Sequence, residues 1–271
     1  MTWWEAAILG LVQGLTEFLP VSSSGHLVLG QYVLGLDPSA GDDVTFEVFV
    51  HFGTTLSILT IYWRRMLDIV VEALGAAARP AAFGACYESS EGLRFGLFIL
   101  ITLVPTGIVY VLFKDPLEAA FQSPRLVSGM LLVTGVLLLL TRLRKNPQGQ
   151  LSPLKAFVIG VAQSAAMIPG ISRSGATICT ALYQNVEPEK AANFSFLMLL
   201  PVVLGATLLK SLDMLDGGLT MGWLPLAVGT LAAYASGVVA IKVVLDFVRR
   251  GRLEYFAYYC FFVGAIGLIF I

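Results

Sequence analysis

A carboxylate, three consecutive hydroxyls and an imidazole stand close together in QGLTEFLPVSSSGH, residues 13–26, as Glu17, Ser22, Ser23, Ser24 and His26. A serine hydroxyl is a weak nucleophile until a neighbouring base takes its proton, so a carboxylate or imidazole within reach of a serine is the minimal set for attack on a substrate. A second stretch, QSAAMIPGISRSGA at residues 163–176, repeats the same frame 150 positions later. Gly10 falls on Gly160, Gln13 on Gln163, Ser22 on Ser172, Ser24 on Ser174 and Gly25 on Gly175. Two substitutions within the frame stand out: Ser23 faces Arg173, and Glu17 faces Met167. A guanidinium holds two oxygens of a phosphate at once. Serines just ahead of a helix cap its first N–H groups, and two helix starts directed at one centre form an anion site. The paired stretches describe a divided active site for an anionic substrate, with hydroxyl and base in one copy and the anion-holding charge in the other.

Plainer roles compete at each position. Any one of Ser22, Ser23, Ser24, Ser172 or Ser174 reads alone as an N-cap. The triplet goes beyond this, because a cap needs one hydroxyl and further hydroxyls at membrane depth cost desolvation. Glu17 is either catalytic or an ion-pair partner of Arg173 that holds two segments together; a charge inside a membrane costs roughly 2.5–3.5 kcal/mol and marks function by default. His26 is either catalytic or a core histidine satisfied by a backbone carbonyl. Gln13 and Gln163 stand at matching places, which points first to structural hydrogen bonding. His51, near Glu47, has no motif around it and is read as structural.

The elements that position these residues lie in a membrane. The chain is 57% hydrophobic and 13% charged, with a mean hydropathy of +0.82, far from the composition of a soluble domain. Apolar runs of roughly the 20 residues needed to cross a hydrocarbon core recur along its length. It reads as a polytopic membrane protein with no soluble domain and no nucleic-acid partner. The net charge of −1 is uninformative. No basic region followed by a small-residue cleavage site opens the chain, and Glu5 stands where a lysine is expected, so the first helix is expected in the mature protein. Cys86, Cys179 and Cys260 have neither disulfide nor metal-ligand spacing and read as small apolar residues.

A first helical run over 3–19 stops at Pro20, and a helix too short to span follows over 27–36. The Ser/Gly turn between them reads as the tip of a re-entrant hairpin, tolerated at membrane depth only under a cover of protein or a water-filled cavity. A polar loop from Asp37 to Asp43 leads to a span over 44–63 that Arg64 and Arg65 end. Residues 68–94 read as part helix and part loop; spans follow over 93–113, kinked at Pro105 and Gly107, and over 126–140. The second half repeats the order, with a helix to Ile168, a tip over 169–175, a short helix to Tyr183, a turn at Glu187-Pro188 and spans over 191–209, 223–247 and 255–271. The expected fold is an all-α single membrane domain with internal repeats of about 1–145 and 150–271, each one hairpin and three transmembrane helices. An odd number of crossings per half inverts the second half relative to the first. Threading puts twelve of the 17 basic residues on one side, among them Arg79, Arg142, Arg144, Lys145, Lys155, Lys190 and Arg249. Lys114, Arg125 and Lys210 fall on the other side with Asp37, Asp42, Asp43, Asp115, Asp213 and Asp216. The positive-inside rule makes the first side cytoplasmic and both termini external.

The two signatures resemble those of a known family. QGLTE with the serine loop that ends at His26 resembles the (E/Q)-x-x-x-E motif of the undecaprenyl diphosphate phosphatases, membrane proteins linked to bacitracin resistance. PGISRSG, residues 169–175, is similar to that family's P-G-x-S-R-S-G motif, and the likeness runs from Trp4 to the C-terminus. The resemblance implies an enzyme of the bacterial inner membrane that converts undecaprenyl diphosphate to the monophosphate lipid carrier on the periplasmic side, using Mg²⁺ or Ca²⁺. It implies Glu17 as the motif carboxylate, Ser23 as nucleophile, His26 as the loop histidine and Arg173 as the phosphate-binding arginine, with Gln13, Ser22, Ser24, Gly25, Ser172, Ser174 and Gly175 around the substrate. Gln13 stands where glutamate is the family's other option. A metal would then rely on Glu17, diphosphate oxygens and water. Glu17 and His26 both remain candidates for the base, and direct attack by water remains a variant. The alternative on the same inverted-repeat plan is a transporter or flippase of a phosphorylated polyprenyl lipid. Oligomeric state is open, a homo-oligomer included.

The charge asymmetry yields a labelling pattern. In intact cells, cysteines at Asp42 and Asp213 are expected to react with an impermeant reagent from outside, and cysteines at Lys145 and Arg250 are not. Outside labelling of Lys145→Cys would break this topology.

Overall fold

Each half of the chain opens with a helix that stops short, turns, and starts again. The computed structural model describes residues 1–34, 42–144, 147–205, 207–208 and 221–270. Helix α1, Trp3–Phe18, begins in a capping box: the Thr2 hydroxyl accepts from the Glu5 N–H, and the Glu5 carboxylate accepts from the Thr2 N–H. It ends where Leu19 turns extended ahead of Pro20, as a residue before proline must. Helix α2, Ser23–Leu34, follows. It begins at Ser23 rather than at residue 27, because the serine triplet is its cap and first turn.

Helix α3, Asp42–Ala77, runs straight through Arg64 and Arg65, which corrects the expectation that they end it. Arg65 lies over the Phe95 ring and pairs with Glu91 at 2.9 Å, so its long side chain reaches polar partners without a break in the helix. A 3₁₀ turn at Pro80–Ala82 and the short α4, Phe83–Ser89, lead into α5, Glu91–Ala120. The break in α5 lies at Phe113, with φ −126° and ψ 22°, and not at Pro105 or Gly107. Pro116 accounts for it, since its ring presses on the preceding turn and its nitrogen offers no N–H. Helix α6, Pro124–Leu140, closes the first half.

The second half holds α7, Pro153–Ala165; α8, Arg173–Tyr183; α9, Pro188–Leu197; α10, Trp223–Arg249; and α11, Glu254–Phe270. The span expected over 191–209 is interrupted: α9 ends at Leu197, Met198 is a turn, and a new helix runs over 199–205. Pro201 lacks the N–H that would have bonded the Leu197 carbonyl and sits in the first turn of the new helix, where proline is tolerated. Expectations for the loop at Asp37, for Lys145, and for Lys210, Asp213 and Asp216 fall outside the described residues.

Among the described residues, three helices are long and apolar enough to cross a membrane: Glu91–Ala120, Pro124–Leu143 and Trp223–Arg249. Thr45–Ala77 with Pro80–Ser89 passes the same measure as a pair bent by 107°. Many large apolar side chains face outward, such as Val33, Val111 and Phe270, as lipid contact requires. The chain is an all-α, multi-pass membrane protein.

Packing between the halves is reciprocal. Helix α1 lies along α10, which also packs on α3, while α7 lies along α5 and α11 along α6. Small residues let the backbones touch. A Cβ on Gly10 would overlap the Gly229 carbonyl, and one on Gly160 would lie 2.7 Å from Thr102 Cα and 2.8 Å from its oxygen. Gly10→Val and Gly160→Val are each expected to lower stability by about 1–3 kcal/mol through overpacking. Gly107→Ala, with open space around it, is expected to leave the melting temperature in detergent unchanged or raised; equal melting of all three variants would contradict the close approach.

Candidate active site

The two turns that interrupt the hairpins carry the same capping bonds. At the first, Ser22 Oγ accepts from the Gly25 N–H at 3.3 Å and lies 3.4 Å from Ser24 Oγ. At the second, Ser172 Oγ accepts from the Gly175 N–H at 3.1 Å and lies 3.2 Å from Ser174 Oγ. Ser22 takes φ +70°, a region sparsely used by non-glycine residues, and this bend joins α1 to α2. Thr134 of α6 holds the second turn, donating to the Gly170 carbonyl and accepting from the Ser172 N–H, both at 2.9 Å.

The turns also touch each other. The Ser174 hydroxyl donates to the Leu19 carbonyl at 3.2 Å. A Cβ on Gly25 would lie 3.3 Å from Gly170 Cα, and one on Gly175 would lie 3.4 Å from Pro20 Cβ. The hydroxyls of Ser22, Ser24, Ser172 and Ser174 are thus engaged in caps and in the contact between turns, with Gly25 and Gly175 permitting the approach.

Ser23 and its counterpart Arg173 meet on one carboxylate. Ser23 donates its hydroxyl to Glu17 Oε2 at 2.6 Å, and Arg173 Nη2 donates to Glu17 Oε1 at 2.8 Å. Gln13 Nε2, one turn earlier on α1, donates to Oε2 at 2.9 Å. Arg173 Nη1 also donates to the Ser195 carbonyl at 3.3 Å, leaving further N–H groups of the guanidinium for a ligand. Glu17 is only 7% exposed, and a carboxylate that deep persists because cation and donors surround it. A hydroxyl hydrogen-bonded to a buried carboxylate is the arrangement that general-base activation requires.

His26 is turned elsewhere. Its Nδ1 donates to the Ser22 carbonyl at 2.7 Å, and its Nε2 accepts from the Tyr259 hydroxyl of α11 at 2.8 Å, with the two rings stacked at 5.5 Å. Of the two base candidates, Glu17 is the one joined to Ser23. Gln163 does not enter the centre; its amide donates to Thr106 Oγ1 at 3.1 Å. Gln13 Oε1 and Gln163 Oε1 are both buried without a partner.

His51 is the residue that sequence reading passed over. Its Nε2 lies 3.9 Å from Glu17 Oε2, and its Nδ1 donates to the Glu47 carbonyl at 2.8 Å. It comes to the site because α3 packs beside α1. The sequence carries no motif around it, and its chief signal is to be an imidazole in an apolar helix.

The expected cation finds little here. Glu17 Oε1 is taken by Arg173, and Oε2 already accepts from Ser23 and Gln13. Among the described residues no group of three or more His, Cys, Asp or Glu side chains is placed to hold a metal. Glu17, expected as a metal ligand, stands here in an ion pair with Arg173, and the described residues do not form a protein-only cation site.

Known proteins share this chain from end to end. A sequence profile described as bacitracin resistance protein BacA matches residues 6–266. The undecaprenyl-diphosphatase of Salinibacter ruber is 66% identical over 268 residues, covering 99% of each chain. Those of Halothermothrix orenii and Bacteroides fragilis are each 42% identical, the first over 98% of this chain and 97% of its own, the second over 99% and 98%. Both stretches that converge on Glu17 lie within the profile's reach, and the chain belongs to the bacitracin resistance protein BacA family.

Proposed function

We propose that this chain is an integral membrane phosphatase that hydrolyses undecaprenyl diphosphate to undecaprenyl phosphate and so returns the lipid carrier of cell-wall synthesis. The observation that carries the proposal is a serine hydroxyl 2.6 Å from a buried carboxylate whose other oxygen is held by an arginine. The relatives' shared name, undecaprenyl-diphosphatase, supplies the substrate.

In this reading the diphosphate lies against the two helix starts and the polyprenyl tail leaves between helices into lipid. Arg173 turns its unused N–H groups to the terminal phosphate, which leaves Glu17 readier to accept the Ser23 proton. Ser23 Oγ forms a bond to the terminal phosphorus as the bond from phosphorus to the bridging oxygen breaks, and undecaprenyl phosphate departs. The N–H groups at the starts of α2 and α8 and the guanidinium hold the equatorial oxygens as charge shifts. Water then releases the phosphate from Ser23. The Mg²⁺ or Ca²⁺ that the family resemblance implies is assigned to the diphosphate oxygens and water, the usual surroundings of such ions at phosphate sites.

The proposed architecture is one membrane domain of two inverted-topology repeats, about 1–145 and 150–271, each a re-entrant hairpin with three transmembrane helices. Two findings support it: matching caps at the two turns, and the exchange by which α1 packs on α10 and α7 on α5. The proposed location is the bacterial inner membrane, with the site open to the periplasm.

Ser23→Ala tests the nucleophile. Ser22 Oγ supplies the cap, so Ser22→Ala is expected to cost about 1 kcal/mol of stability, whereas Ser23→Ala is expected to fold normally, bind a polyprenyl diphosphate and lose nearly all turnover. Substantial phosphate release by Ser23→Ala would overturn the assignment. For the cation, Mn²⁺ is expected to show a protein-bound paramagnetic resonance signal only after a non-hydrolysable polyprenyl diphosphate analogue is added; a tight signal on the protein alone would contradict binding through the substrate.

A further inference from the structure

We infer that His51 binds the water that clears the phosphoserine and takes its proton. The inference rests on the reading of Ser23 as nucleophile and extends it to the second half of the reaction.

The ring of His51 is fixed in one tautomer. Its Nδ1 stands 2.8 Å from the Glu47 carbonyl, which only accepts, so that nitrogen carries a proton, and the tautomer the proposal uses is the one with a bare Nε2. That lone pair faces Glu17 Oε2 at 3.9 Å. Two acceptors at this spacing make no bond with each other, and a contact beyond 3.5 Å between polar atoms is the place to expect a bridging water. One water donating an O–H to each atom fits between them. It would sit beside the oxygen that receives the Ser23 proton, close to the phosphorus once Ser23 is phosphorylated.

The His51 side of the pair is the more open one. The His51 side chain is 33% exposed, against 6% for Glu17. The groups bonded to its carboxylate partner are Ser23 from α2, Gln13 from α1 and Arg173 from α8. None of these is a free base. His26 has both ring nitrogens engaged, with the Ser22 carbonyl and Tyr259.

Proton balance then divides the labour. In the first step Glu17 takes the Ser23 proton and becomes a neutral acid. In the second, a bond forms from the water oxygen to phosphorus while the bond from phosphorus to Ser23 Oγ breaks. Glu17 returns its proton to Ser23 Oγ, so it is unable to accept the proton that the water must lose. His51 Nε2 accepts that proton and passes it to solvent after inorganic phosphate departs.

Rapid-quench measurement on purified protein with polyprenyl diphosphate labelled in the terminal phosphate separates the two half-reactions. His51→Gln and His51→Phe are both expected to give a burst of polyprenyl phosphate close to one per enzyme, followed by turnover slowed roughly 10²–10⁴-fold, the usual worth of a general base. Label is expected to accumulate on Ser23 in both variants and not in the wild-type chain. The burst itself counts folded, competent enzyme. If Ser23→Ala is inactive while the His51 variants turn over normally, or slow without labelled Ser23, the nucleophile assignment stands and the role of His51 falls. If Ser23→Ala retains turnover, the nucleophile assignment fails and takes this inference with it.

Discussion

A carboxylate buried among apolar helices must have its charge met within a few ångströms, and in this chain the partner of Glu17 lies 156 residues away in sequence. Removing a carboxylate from water costs several kcal/mol unless a cation and donors replace its hydration. Glu17 obtains these from three directions: the Arg173 guanidinium, the Ser23 hydroxyl and the Gln13 amide. That requirement fixes the rest. Two interrupted hairpins must place their turns in contact, glycines at 25 and 175 must stand at the junction, and Thr134 must anchor the second turn. The proposed chemistry draws on the same constraint, because two of the side chains that surround the carboxylate, Ser23 and Arg173, are the ones assigned in that proposal to attack and hold a phosphate.

The long helices serve this meeting of turns. Helix α10 covers α1 and α5 covers α7, at distances set by residues without bulk. Hydrophobic driving force is weak between helices in lipid, so close backbone contact and interhelical hydrogen bonds carry the association. Ser57, for example, donates from α3 to the Tyr234 carbonyl of α10 at 2.9 Å. The Phe18–Phe196 edge contact, with centroids 5.6 Å apart, joins the end of α1 to α9 within the larger apolar core. The site thus sits on helix ends that are themselves immobilised by packing.

Much of this was legible in the sequence because the chain states it twice. The 150-residue offset aligns Ser23 with Arg173, the one member of the serine triplet whose counterpart is not a serine, and these are residues that share Glu17. Hairpin turns at Pro20 and Pro169 were equally plain, since proline and serine break and restart helices by local rules. What failed was non-local. His51 enters the centre only through the packing of α3 against α1, which no spacing within α3 reveals. The ring of His26 is directed by Tyr259, which stands 233 residues later. The helix end expected at Arg64 and the kink expected at Pro105 are both absent, because a long arginine reaches its partners from a continuous helix and because Pro116 breaks α5 where Pro105 does not.

The reciprocal packing of hairpins on distant helices also bears on how the chain is made. Synthesis proceeds from the N-terminus at roughly 5–20 residues per second, and Arg173 emerges 156 residues after Glu17. For an interval on the order of 10–30 s, the first hairpin exists without its counter-charge and without α10 to cover it. A nascent hairpin in that condition has no reason to enter the hydrocarbon layer, and every reason to remain among headgroups or inside the insertion machinery. Assembly of the centre is therefore a late event in biogenesis, coupled to completion of the second half, and a ribosome stalled before residue 173 leaves a chain with a stranded charge.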